Sequence, residues 1–161
     1  MKKYGFLILL TTLLSCKSSL EKIKTSDNLK NSIGYVTNHI NECYEDSNQI
    51  DVDEKAEFDY EKKILTIYKG KSINDYFQKW EIPLTDLDPE KIIYSEDMEI
   101  FKKVTVFTHE NEQKIKYFKN GKFESTTNQS NYYLKDYCLR KKIEKEKFIE
   151  SYKRAIILSQ K

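Results

Sequence analysis

Apolar residues recur at helical spacing near both ends of this chain and at strand spacing between them. Leu29, Ile33, Val36, Ile40 and Cys43 fall on one stripe, with Tyr44 at its flank and Asp27 in the place of an N-cap. The spacing predicts a helix over about Asn28–Tyr44, packed by one face against a sheet. After the acidic, turn-like stretch Glu45–Asn48 the period drops to two. Ala56, Phe58 and Tyr60 alternate with Glu57, Asp59 and Glu61, and Lys62 and Lys63 turn the chain into Ile64–Tyr68, a hairpin pattern. Gly70, Lys71 and Ser72 break it. Tyr76, Gln78, Trp80, Ile82 and Leu84 form the next alternating set, closed by Pro83 and a turn at Asp86–Pro89, since proline ends ladder pairing.

Further strands are predicted at Lys91–Ser95, Ile100–Thr108 and Lys114–Lys119. Asn120 and Gly121 are the strongest turn signal, because both central positions of a type I′ turn need positive φ. They lead into Lys122–Thr127, a polar loop Asn128–Asn131 and a short strand Tyr132–Leu134. The last stripe holds Phe148, Ile149, Tyr152, Ala155 and Ile156 and predicts a helix over about Ile143–Ser159. Lys141 and Lys145 interrupt its apolar face, so a less regular lead-in carrying Cys138 is expected. The fold class is therefore α+β: an N-terminal helix, about seven antiparallel strands and a C-terminal amphipathic helix in one domain, 28–161. That element order over Glu54–Lys161 resembles the pleckstrin-homology-like barrel, which implies two orthogonal sheets with the last helix plugging one open end. A single curved sheet wrapped round the first helix, as in cystatin-like or nuclear-transport-factor-like folds, is the alternative.

The first residues form a different pattern. Lys2 and Lys3 precede an apolar run from Phe6 to Leu14, far short of the roughly 20 residues that span a bilayer, and Ser15 and Cys16 follow. Leu13-Leu14-Ser15-Cys16 resembles the lipobox of bacterial lipoproteins. The resemblance implies that residues 1–15 are a signal peptide removed by signal peptidase II. It further implies that Cys16 becomes the diacylglycerol-bearing, palmitate-type acylated first residue. Residues 16–27, polar apart from Leu20 and Ile23, then read as a tether.

Processing changes the charge balance. The chain has 28 Lys and Arg against 26 Asp and Glu, and Lys2 and Lys3 leave with the leader, so the mature chain is close to neutral. Binding of nucleic acid rests on a basic surface and is not expected. Acylation of Cys16 leaves Cys43 and Cys138 as an even pair in an oxidising compartment, where a disulfide between them would be worth about 4 kcal/mol at most.

Candidate chemistry is sparse. His39 and Cys43 stand i, i+4 on the first helix but need further ligands to hold a metal, and no metal or cofactor is expected. His109 sits in a predicted turn. The acidic run Asp46–Glu54 lacks the glycine and terminal glutamate of a calcium loop. Asp86 with Asp88, and Glu96 with Asp97, lie in solvated turns. No phosphate-binding, zinc-protease or nucleophile-elbow motif is present. Trp80, Arg140, Lys141 and Lys142 are the candidate partner contacts. Trp80, with Tyr76 and Phe77, is an aromatic contact or, on its alternating strand, a core residue. The cationic cluster suits anionic headgroups or an acidic partner, or forms the solvated face of a helix.

The expected function is thus a non-enzymatic binding or scaffolding lipoprotein of the cell envelope, held in the membrane by Cys16 and engaging an envelope protein, peptide or lipid. By resemblance to enteric lipoproteins, in which aspartate after the acylated cysteine signals retention at the inner membrane, Lys17 implies the outer membrane, facing the periplasm or displayed outside. An envelope hydrolase assembled from distant residues, or an immunity or inhibitor lipoprotein, are the alternatives.

Overall fold

The computed structural model describes residues 28–42, 54–95, 101–135 and 142–161. The leader, Cys16 and its tether, Cys43, the acidic run before Glu54, Glu96 and Asp97, and Cys138, Arg140 and Lys141 lie outside the described residues.

Helix α1 covers 28–42. Eight strands follow: β1 Glu54–Asp59, β2 Ile64–Ser72, β3 Asp75–Pro83, β4 Leu87–Ser95, β5 Phe101–Thr108, β6 Ile115–Lys119, β7 Lys122–Thr127 and β8 Gln129–Lys135. Helix α2, Lys142–Ser159, closes the chain. The α+β order expected from periodicity is the observed one. The strands form two antiparallel sheets, a five-stranded one in the order β1-β2-β3-β6-β7 and a three-stranded one in the order β4-β5-β8, and neither closes into a barrel. The chain leaves the first sheet after β3, lays down β4 and β5, and returns for β6 and β7 before β8.

Both helices and both sheets enclose one core. Leu29, Ile33, Val36 and Ile40 of α1 meet Phe148, Tyr152, Ala155 and Ile156 of α2, with Leu65, Ile67, Ile82, Val104, Val106 and Ile115 beneath them. The apolar stripes are what bury the helices: burial of each such side chain stabilises by about 1.5–3 kcal/mol, whereas isolated helices of this length are marginal in water. Lys145, which interrupts the stripe, is accommodated by its ammonium, 3.7 Å from the centroid of the Tyr94 ring.

Local readings change at three places. Gly70, Lys71 and Ser72, expected to break the hairpin, lie within β2, where its pairing with β3 is irregular. The segment Asn128–Asn131, polar and expected to be a loop, supplies the start of β8 from Gln129. Its polar side chains are used across the ladder, where Thr105 Oγ1 donates to Asn131 Oδ1 at 2.8 Å, and Ser130 is buried. The turn expected at Asp86–Pro89 shrinks to a 3-10 turn, Leu84–Asp86, with β4 starting at once. Pro89 is tolerated because β4 is an edge strand and its pairing with β5 is interrupted between Leu87 and Ile92.

The elements define two ends of the molecule. The N–H of Leu84 donates to Lys63 O at 2.9 Å, and the Gln160 amide donates to Leu87 O at 2.8 Å. The β1–β2 turn, the 3-10 turn and the C-terminus of α2 therefore share one end. At the other end the β2–β3 and β6–β7 turns are joined by the Asn120 N–H, which donates to Phe77 O at 2.9 Å. Helix α1 runs antiparallel to α2. Near its start Asn28 Oδ1 accepts from Arg154 at 3.2 Å, while further along the His39 ring lies 5.7 Å from that of Phe148. Residue 28, where the chain enters the fold, thus sits toward the first end. At the last turn of α1, the Asn41 carboxamide accepts from Ala56 N–H at 2.6 Å and donates to Ala56 O at 3.1 Å. One side chain thereby occupies the free edge of β1 as a neighbouring strand would.

Candidate functional site

The two histidines are not brought together. His39 stacks on Tyr35, with ring centroids 5.0 Å apart, and flanks Phe148 in the helix layer. His109 is exposed, its Nε2 3.1 Å from Gln160 Nε2. The helical rise between Phe148 and Gln160 is about 18 Å. Among the described residues no group of three His, Cys, Asp or Glu is placed to hold a metal ion. Asp88, in the first residues of β4, accepts at Oδ1 from Glu90 N–H at 3.0 Å, and its Oδ2 lies 3.5 Å from Lys91 Nζ. Trp80 is half-buried and packs on the core, 5.2 Å from the Tyr117 ring and with Lys69 Nζ 6.0 Å from its own. It supports the sheet from inside. Of the cationic cluster, Lys142 begins α2.

The electrostatic outlier of the described residues is one that sequence reading passed over as part of an acidic run. Glu54, first in β1, is 4 % exposed, and its Oε2 has no hydrogen-bond partner. Its pKa is pushed up to about 7 by burial, which outweighs the opposing pull of Lys69, whose Nζ is 4.0 Å away across the β1–β2 ladder. Alternation puts Glu54 on the same face as Ala56 and Phe58, the core face, and that parity was the available signal. On the opposite face Tyr68 is held near 12 by burial and by its hydrogen bond to Glu57 Oε1 at 3.0 Å. Lys79 makes a second polar centre. Burial pulls its pKa down, but the bond to Glu81 at 3.0 Å and the charge of that carboxylate raise it on balance. Its ammonium lies 4.3 Å from the Phe118 ring centroid and 4.9 Å from that of Tyr76.

Several grooves open among the described residues; one of about 510 Å³ is lined by Glu57, Asp59, Lys62 and Glu81, and two others bear on ligand binding. The first, about 630 Å³, runs between α1 and α2 past Asn28, Tyr35, Lys147, Glu150 and Arg154. Its cations are already engaged: Lys147 over the Tyr35 ring at 4.4 Å, Lys153 with Glu90 at 2.7 Å, and Arg154 with Asn28. The second, about 540 Å³, lies between the two hairpin turns and is lined by Gly70, Lys71, Asn74, Asp75, Tyr76, Phe77, Asn120 and Gly121. Local backbone irregularities build it. Between the pairs Lys69↔Gln78 and Gly70↔Tyr76, Phe77 is one residue too many, and between Gly70↔Tyr76 and Ser72↔Asp75, Lys71 is. Gly70, at φ 153°, permits this close approach, since a Cβ there would lie 2.5 Å from Tyr76 Cα. Ser72 Oγ accepts from the N–H groups of Asn74 at 3.3 Å and Asp75 at 3.0 Å. Asn120 and Gly121 adopt φ 48° and 76°, as the turn signal predicts. None of these bonds uses the side chains of Asn74, Asp75 or Asn120, all exposed. Phe77 is 38 % exposed, and Phe123 close by is 58 % exposed.

Compared with known proteins, the chain matches no family model, and no curated protein and no solved structure matches it.

Proposed function

We propose that this chain is a lipid-anchored binding module of the bacterial cell envelope. Cys16 carries the acyl chains, residues 16–27 form the tether, and the α+β domain engages a partner at the end remote from the membrane. The anchor rests on the Leu13–Cys16 motif and its cationic, apolar leader. Two or more acyl chains give stable attachment where one is marginal.

The observation that carries the binding half is the polarity of the domain. Residue 28, which the tether joins, lies beside Arg154, while the groove with exposed, unengaged side chains lies between turns at the far end. A tether of 12 residues reaches at most about 40 Å, so the domain stays near the bilayer. The compartment is the periplasmic face of the outer membrane or the cell surface, and Cys43 and Cys138 form a disulfide there.

Fractionation tests the anchor. Wild-type protein is expected in the membrane fraction and solubilised by detergent, and the Cys16→Ser chain in the soluble fraction or retained with its leader. Equal detergent-dependent membrane association of an otherwise processed Cys16→Ser chain would defeat the proposal.

A further inference from the structure

We infer that the groove between the β2–β3 and β6–β7 turns binds an uncharged saccharide chain. This deepens the binding-module reading by naming its ligand class, and it rests on that reading only for the direction in which the groove faces. A pyranose ring presents two kinds of surface: C–H faces that pack on aromatic rings, and an edge of hydroxyls that each donate and accept. The groove offers both complements. Tyr76 and Phe77 are adjacent aromatics in its wall, and Phe77 is 38 % exposed. Asn74, Asp75 and Asn120 surround them with amide donors and amide and carboxylate acceptors.

Charge narrows the ligand class. The lining residues include one cation, Lys71, and one anion, Asp75, so nothing selects a polyanion, a phosphate or an acidic headgroup. The groove is an open depression of about 540 Å³.

The wall is also held in place before any ligand arrives. The Tyr76 ring is held by Lys79, whose ammonium lies 4.9 Å from its centroid, is fixed by Glu81 at 3.0 Å and also covers Phe118. The Asn120 N–H ties the two turns together through Phe77 O, so both walls keep their spacing. Such preorganisation lowers the ordering cost that makes shallow sites weak. The helix groove offers a single lining aromatic, Tyr35, whose ring is already covered by Lys147 at 4.4 Å.

The test uses the full chain carrying Cys16→Ser, so that lipid plays no part, with the uncharged oligosaccharides chitohexaose and maltohexaose as probes. Calorimetry reads their binding. At least one probe is expected to bind with a dissociation constant of about 1 mM or tighter. Phe77→Ala and Asn74→Ala are each expected to weaken that binding by about tenfold, while Phe123→Ser, outside the lining, leaves it unchanged. Circular dichroism and thermal melts confirm that each variant folds. The inference is overturned if no probe binds the folded wild-type domain in this range. It is equally overturned if Phe77→Ala and Asn74→Ala bind as wild type does, or if Phe123→Ser abolishes binding. A chain that binds sugar but is never acylated keeps this inference and loses the anchor; the converse result separates them the other way.

Discussion

Replacing Glu54 by glutamine is expected to stabilise the protein above neutral pH and to flatten its pH dependence. The wild-type carboxyl is buried, with Oε2 unpartnered and Lys69 no closer than 4.0 Å, so its charged form is disfavoured in the fold. Its pKa rises from an ordinary 4.5 to about 7. Because the folded chain holds this proton more tightly than the unfolded one, stability falls as pH rises from about 4.5 to 7 and stays low above that. At 1.36 kcal/mol per pH unit the full span is about 3 kcal/mol. Glutamine keeps the shape without the charge, but it leaves Lys69 without its carboxylate, so a net gain of about 1–3 kcal/mol at pH 8 is expected. Below pH 4.5 the advantage disappears. Urea unfolding at pH 4, 5, 6, 7 and 8, followed by the fluorescence of Trp80, measures both curves. A Glu54→Gln chain less stable than wild type at pH 8, or one that keeps the wild-type slope between pH 5 and 7, would refute the reasoning.

Two further perturbations follow from the backbone contacts. Asn41→Ala removes both hydrogen bonds that cover the free edge of β1 and is expected to cost about 1–3 kcal/mol in a denaturant midpoint, with faster aggregation by light scattering. A variant as soluble and stable as wild type would show that the edge needs no cover. Gly70→Ala and Gly121→Ala should differ. Both sites have positive φ, but a Cβ at Gly70 meets Tyr76 Cα at 2.5 Å whereas Gly121 has open space, so Gly121→Ala costs about 1–2 kcal/mol and Gly70→Ala more. Equal thermal melting of the two variants would count against the close approach at Gly70.

Much of the fold was legible because burial imposes a period. The stripe Leu29, Ile33, Val36, Ile40 and the stripe Phe148, Tyr152, Ala155, Ile156 are the buried faces of the two helices. The Asn120-Gly121 turn was legible because few residues tolerate its φ angles. The beginning of β8 was not, since Gln129, Ser130 and Asn131 are polar and the ladder uses them through the Thr105–Asn131 bond, which has no local signature. Nor did alternation reveal how strands divide between two sheets, as the crossover from β3 to β4 and back to β6 depends on contacts far apart in sequence. The far-end groove escaped notice for a related reason. Its walls come from turns some 45 residues apart, and the two extra residues that shape it, Phe77 and Lys71, look like ordinary strand and turn positions. Trp80 was legible as either a contact or a core residue, and its alternating strand already favoured the core, against which it packs half-buried.

The most direct measurement is the intact mass of the protein extracted from native membranes. The account expects a chain that begins at Cys16 and carries a diacylglycerol, with any further acyl chain on its new amino terminus. A molecule that still begins at Met1, or one cut at another residue with an unmodified thiol at position 16, would contradict it.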